Sequence, residues 1–141
     1  MVLTALLLLF GLRVLAQLIQ AWHPVTFLPP FEDWASGALP YWLLVLCQAF
    51  IIVMCSRVIW RMHQGRTIPS STRGRVLLTL GTVYFGLMGV RLIIGLTVAT
   101  DHFWFNAWLP TVFHFVLAGF VLVCGWFHHR ASGAVQRGSP A

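Results

Sequence analysis

The sequence predicts an all-α integral membrane protein, a bundle of four transmembrane helices with both termini cytoplasmic. Three observations predict it. Hydrophobic residues make up 59% of the 141-residue chain and charged residues only 9%, where an ordinary soluble domain carries roughly 25% charged residues. Four apolar stretches each approach the ~20 residues needed to cross ~30 Å of hydrocarbon. The arginines are distributed unevenly among the segments that join these stretches. This balance excludes a soluble enzyme, a disordered tail and a secreted disulfide scaffold.

The first span is expected at 2–22. Leu3 to Leu12 has the character of a signal-peptide core, and Val14-Leu15-Ala16 resembles a cleavage site. No positive residue precedes the apolar run, so a retained first helix is expected instead. The second, third and fourth spans are expected at 40–62, 76–99 and 108–127. In lipid every backbone polar group must be paired internally, and four short segments cannot close a barrel, so all four are helical. Pro40 and Pro110 fit the first helical turn, where a missing N–H costs nothing. Asn106 suits the cap of the last helix, and Pro69, Ser70 and Ser71 read as loop. Residues 1–130 then form one transmembrane domain, and 131–141 a flexible cytoplasmic tail.

The charge pattern sets the orientation. Arg57, Arg61, Arg66, Arg73 and Arg75 surround the connection between spans two and three, and Arg130 and Arg137 follow span four. The other two connections hold no arginine, only Glu32, Asp33 and Asp101. The positive-inside rule places both termini in the cytoplasm of a multi-pass protein of the cytoplasmic (inner) membrane. Trp22, Trp34, Trp42, Trp104 and Trp108 fit an aromatic belt on the outer side, and Trp60 and Trp126 one on the inner side. Nine basic residues without a single lysine suggest a GC-rich bacterial genome. A basic chain with no extramembrane domain gives nucleic acid no surface to bind.

Polar residues inside the spans carry the functional information. An ionisable residue at a helix centre costs roughly 2.5–3.5 kcal/mol on insertion scales, so Arg13 and Arg91 are expected to face protein, water or ligand. Arg13, Gln17 and Gln20 form one stripe of the first helix. Tyr41, Gln48 and Cys55 share a face of the second, and Tyr84 and Arg91 a face of the third. Thr111, His114, Ala118 and Gly125 form a narrow stripe on the fourth, suited to close helix contact. Gly81, Met88 and Gly95 thin one face of the third helix in the same way. Gln17, Gln48, Arg91 and His114 all lie within ~15 Å of the outer surface, with Arg13 slightly deeper.

This cluster has two readings. In one, the polar groups are interhelical glue, at ~0.6 kcal/mol per contact on average. In the other, Arg13, Gln17, Gln48, Tyr84, Arg91 and His114 bind the head of an anionic amphiphile, a lipid or a quinone. Glu32, Asp33 and Asp101 would then act from the outer loops as lid or counter-charge. The apolar, proline-rich segment from His23 to Trp34 is expected to lie on the membrane surface or to cover the site.

No nucleophile motif, phosphate loop or acid pair marks a catalytic centre, so no catalytic residue is assigned. The histidines lack metal-ligand spacing, and the three cysteines sit in apolar runs as packing residues. The sequence names no cofactor; His114 is the one histidine at membrane depth able to ligate haem or a pigment. Functionally, the leading expectation is a non-catalytic accessory or scaffold subunit of a larger membrane complex. Its partners would be membrane lipids with neighbouring subunits or further copies of itself. The anionic-amphiphile site is the alternative, and haem or pigment binding a weaker one.

Overall fold

The computed structural model describes residues 1–34, 39–98 and 108–137. The described residues are helical apart from short connections. Helix α1 spans Val2–Trp22, α2 is the short Phe31–Trp34, α3 spans Tyr41–His63, α4 spans Ser71–Thr97 and α5 spans Trp108–Arg137. Four of them, α1, α3, α4 and α5, are long and apolar enough to cross a membrane.

Local chemistry explains the boundaries. Pro40 occupies the N-cap of α3, with extended backbone, one position before the expected first turn. Helix α3 closes on Gly65, whose φ of 64° suits only glycine without strain. Around it, the Gly65 N–H donates to the Met62 carbonyl and the Arg66 N–H to the Arg61 carbonyl, each at 3.1 Å. This is the paired closure that satisfies the last carbonyls of a helix. Helix α4 begins earlier than its apolar stretch. The Ser70 hydroxyl accepts from the Arg73 N–H, so Ser71, Arg73 and Arg75 are helical rather than loop. Helix α5 likewise continues to Arg137, through part of the stretch read as tail. The apolar pattern marks hydrocarbon, whereas the hydrogen-bond ladder runs on into the interface; that is why both helices outrun their spans. Asn106 lies outside the described residues.

The long helices pack in the order α3, α1, α5, α4, with the closest association between α4 and α5. These two run antiparallel, with their backbones in near contact. A Cβ on Gly74 would sit 2.7 Å from the His129 backbone nitrogen, and one on Gly125 would sit 2.8 Å from that of Leu78. A Cβ on Gly81 would meet Leu122 at 2.8 Å. Ala118 and Gly95 are buried on the same two faces. The thin faces expected on both helices are therefore the contact, and Gly74 extends the α4 stripe by one further heptad. Gly86 and Gly89 face open space.

The bundle divides along its length. Toward the termini, Leu3, Phe120 and Cys124 form the apolar core, with Leu6, Cys55 and Ile59 packed against it. Toward the other end, the buried residues are polar: Arg13, Gln17, Gln20, Gln48, Arg91 and Thr111. The described cysteines are unbridged: Cys124 is buried in the core and Cys55 packs against it, whereas Cys47, also expected to be a packing residue, is exposed.

The glycine contact makes a sharp prediction. Gly74→Ala and Gly125→Ala force backbone apart and should each cost about 1–3 kcal/mol, the usual range for overpacking. Gly86→Ala, which meets nothing, should leave stability unchanged or slightly raised. Unfolding titrations in mixed micelles compare the three; equal stability of all three would show that α4 and α5 do not meet at this face.

Candidate functional site

Four elements meet around a cavity of about 180 Å³. Phe10 and Arg13 of α1 form its floor, Gln48 of α3 and His114 of α5 its polar walls, and Trp34 of α2 its roof. Helical periodicity accounts for this gathering. Arg13, Gln17 and Gln20 recur on one face of α1, and all three are buried.

Each polar group is held by a neighbour. Arg13 is 7% exposed, and its Nη2 donates to the Trp34 carbonyl at 2.8 Å. The guanidinium also lies 5.5 Å from the centre of the Phe113 ring. Both of these partners are uncharged, and among the described residues no carboxylate is shown beside the cation. Gln48 Nε2 donates to Gln17 Oε1 at 3.0 Å, joining α3 to α1. His114 Nδ1 and the Tyr84 hydroxyl are 2.5 Å apart, joining α5 to α4. A phenol is the better donor and an imidazole nitrogen the better acceptor, so Tyr84 donates and the other ring nitrogen of His114 carries the hydrogen.

The strap over the cavity is pinned at several points. Gln20 Oε1 accepts from the Val25 N–H, and the Trp34 indole donates to the Pro29 carbonyl, both at 3.0 Å. Phe31 packs edge-on against Tyr41 of α3, with ring centres 5.1 Å apart. The end of the proline-rich segment, Phe31–Trp34, thus packs onto the bundle.

The six residues proposed from sequence separate into three roles. Arg13, Gln48 and His114 line the cavity. Gln17 and Tyr84 stand behind them and orient Gln48 and His114. Arg91 is buried on α4 within electrostatic reach of Tyr84 and His114, but it is not among the residues lining the cavity. Residues seven apart on one helix share a face yet stand ~10 Å apart along it, which separates Arg91 from the level of Tyr84. Glu32 and Asp33 lie on α2 but point to solvent. It is the main-chain carbonyl of Trp34, not a carboxylate of α2, that reaches Arg13. Asp101 lies outside the described residues.

Trp34 itself was read as a belt residue, and the structure corrects that: it is 5% exposed and roofs the site. Trp22, Trp42 and Trp108 are exposed, as belt residues are. The signal for Trp34 was its position at the end of an apolar proline-rich segment, where an indole needs both a packing surface and an acceptor.

Three buried atoms at the centre lack a hydrogen-bond partner: Arg13 Nε, Gln17 Nε2 and Gln48 Oε1. Buried polar groups are normally paired, and two of these atoms belong to residues that line the cavity, Arg13 and Gln48. Among the described residues, no three His, Cys, Asp or Glu side chains gather closely enough to hold a metal ion. The cavity is also below the ~300–1,000 Å³ of sites that enclose a whole drug-sized ligand, which leaves little room for a porphyrin beside His114.

The Gln17–Gln48 pair can be tested by a double-mutant cycle. Gln17→Leu alone strands the Gln48 amide and should cost about 1–3 kcal/mol. The double replacement by leucine removes both partners and should recover most of that loss. Strict additivity of the two single changes, measured by unfolding in micelles, would mean the amides do not bond.

Compared with protein-family models, curated proteins and solved structures, the chain matches none.

Proposed function

We propose that this protein is a membrane-embedded binding protein for an amphiphile whose anionic head occupies the Arg13–Gln48–His114 cavity beneath Trp34. One observation carries the reading: a buried guanidinium whose partners among the described residues are neutral belongs to a residue lining a cavity, and one of its N–H groups is unpaired. Leaving a buried donor unmade is expensive, and leaving a charge uncompensated in low dielectric is more so. An anionic head relieves both. The apolar walls suit the chain that follows such a head.

A second reading, an accessory or scaffold subunit of a larger complex, is favoured by a different feature. Helices α3 and α4 flank the row and bury little of their surface. Partner helices or lipid tails would cover those faces. The two readings are compatible, since a subunit can also hold a lipid.

We further propose that the protein lies in a bacterial cytoplasmic membrane with both termini inside. Arg57, Arg61, Arg66, Arg73, Arg75 and Arg130 are exposed, and they cluster with Met1 and His63 at one end of the bundle. Arg130 lies over the Trp126 ring, 4.4 Å from its centre, as an interfacial anchor does. A reporter fused after Ala141 should be active only in the cytoplasm; activity on the other side reverses the orientation.

Native mass spectrometry of protein extracted in mild detergent tests the function directly. The expected result is a 15.9 kDa chain, or a defined assembly containing it, that carries one fixed small-molecule adduct. Arg13→Met should lose the adduct yet keep the fold, because an apolar replacement of similar length is tolerated at buried charges. A ligand-free chain that takes up no amphiphile would overturn the binding reading. A defined complex with other chains and no adduct would favour the subunit reading instead.

A further inference from the structure

The cavity also says what kind of head it holds and how that head arrives. We infer that the ligand is a single-chain carboxylate, which enters sideways from the bilayer between α3 and α5 and docks on the Nε edge of Arg13. This inference rests on the amphiphile-binding reading of the same cavity and specifies its ligand.

The edge of the guanidinium is the first reason. Nε and Nη2 lie side by side on one edge of the planar guanidinium, spaced to meet the two oxygens of a carboxylate in parallel. In the structure the Trp34 carbonyl takes Nη2, while Nε is buried and open. One carbonyl oxygen thus stands where one carboxylate oxygen would, and the second position is vacant. A carboxylate satisfies both donors and brings the negative charge the carbonyl lacks. The Trp34 main chain then yields at Nη2, which makes α2 a clasp that responds to the occupant.

Size is the second reason. About 180 Å³ accommodates a small head and the first carbons of a chain, not a phosphodiester bearing two chains. The third reason is the opening. Helices α3 and α5 both border the cavity, but their backbones stay apart, and each packs its backbone more closely on α1. Cys47 lines the cavity and is also exposed, well inside the α3 span. The cavity therefore opens sideways at the depth of Cys47, between apolar walls that include Leu44, Ile51 and Leu117. A chain whose head is at Arg13 leaves through this gap into hydrocarbon.

The Gln17–Gln48 pair suits the same ligand. Turning both amides exchanges their roles: Gln17 Nε2 then donates to Gln48 Oε1, and Gln48 Nε2 becomes a donor to the cavity. The two unpaired amide atoms of the present arrangement become paired with each other, and Gln17 Oε1 gives up its donor in exchange. Arg13, Gln48 and the remaining His114 nitrogen then all present donors, as an anionic head requires.

Cys47 provides the readout. Full-length protein in mild detergent is alkylated with N-ethylmaleimide, and modification at Cys47 is followed by peptide mass. Oleate at about ten times its dissociation constant should slow the reaction about tenfold. Methyl oleate, with the same chain and no charge, should not. Arg13→Gln should lose the protection by oleate, and the comparison of the two ligands on the unaltered protein stands even if that variant misfolds. Equal protection by oleate and methyl oleate would leave an amphiphile site but overturn the carboxylate. Protection by oleyl phosphate and not by oleate would do the same. If none of the three protects Cys47 in folded protein, the lateral site and the binding reading both fail.

Discussion

Helices α4 and α5 approach so closely that a Cβ on Gly74 or Gly125 would meet the facing backbone, and the Leu122 side chain fills the space over Gly81. In a bilayer the hydrophobic effect does not drive helices together, because lipid is as apolar as leucine. Close backbone packing then has to supply the association. This contact fixes α5 as a central helix, with α4 on one side and α1 on the other. It also sets the level at which His114 meets Tyr84, and so the direction of its free ring nitrogen. The third long partner, α3, is left to pack on α1, and the space between α3 and α5 becomes the cavity.

The two halves of the bundle follow from what each can bury. Near the termini, leucine, phenylalanine and cysteine fill the interior and need no partners. In the other half, every helix brings a polar group inward, and each finds one on the next helix: Gln17 with Gln48, Tyr84 with His114, Arg13 with the α2 strap. These bonds are modest singly, but they specify register, because an amide or phenol displaced by one turn would be stranded in low dielectric. What remains unmade at the centre is the open edge of Arg13 and one atom of each glutamine.

The strap adds a layer that an ordinary four-helix bundle lacks. Its own bonds, from Trp34 to Pro29 and from Val25 to Gln20, make it a compact unit rather than a slack connection. It reaches Arg13 by a main-chain carbonyl, which needs no particular side chain, while Trp34 supplies shape. Glu32 and Asp33 remain outside, where two carboxylates are well hydrated.

Much of this protein is determined by its sequence. Composition and span length dictate four membrane-crossing helices, and periodicity dictates their inward faces: Arg13, Gln17 and Gln20 on α1, Gln48 on α3, Gly81 and Gly95 on α4, Ala118 and Gly125 on α5. These are local properties, set by the rise and turn of a helix and by the cost of polar groups in hydrocarbon. The tertiary structure decided what periodicity leaves free. Helix order placed Arg13, Gln48 and His114 on one cavity and left Arg91 off its wall, because a shared face does not fix which neighbour stands opposite. Caps and hydrogen-bond ladders carried α4 and α5 beyond their apolar stretches, where hydropathy has no signal. The strap brought Trp34 inward through contacts with α1 and α5, helices that lie far from it in sequence, and no local pattern encodes such contacts.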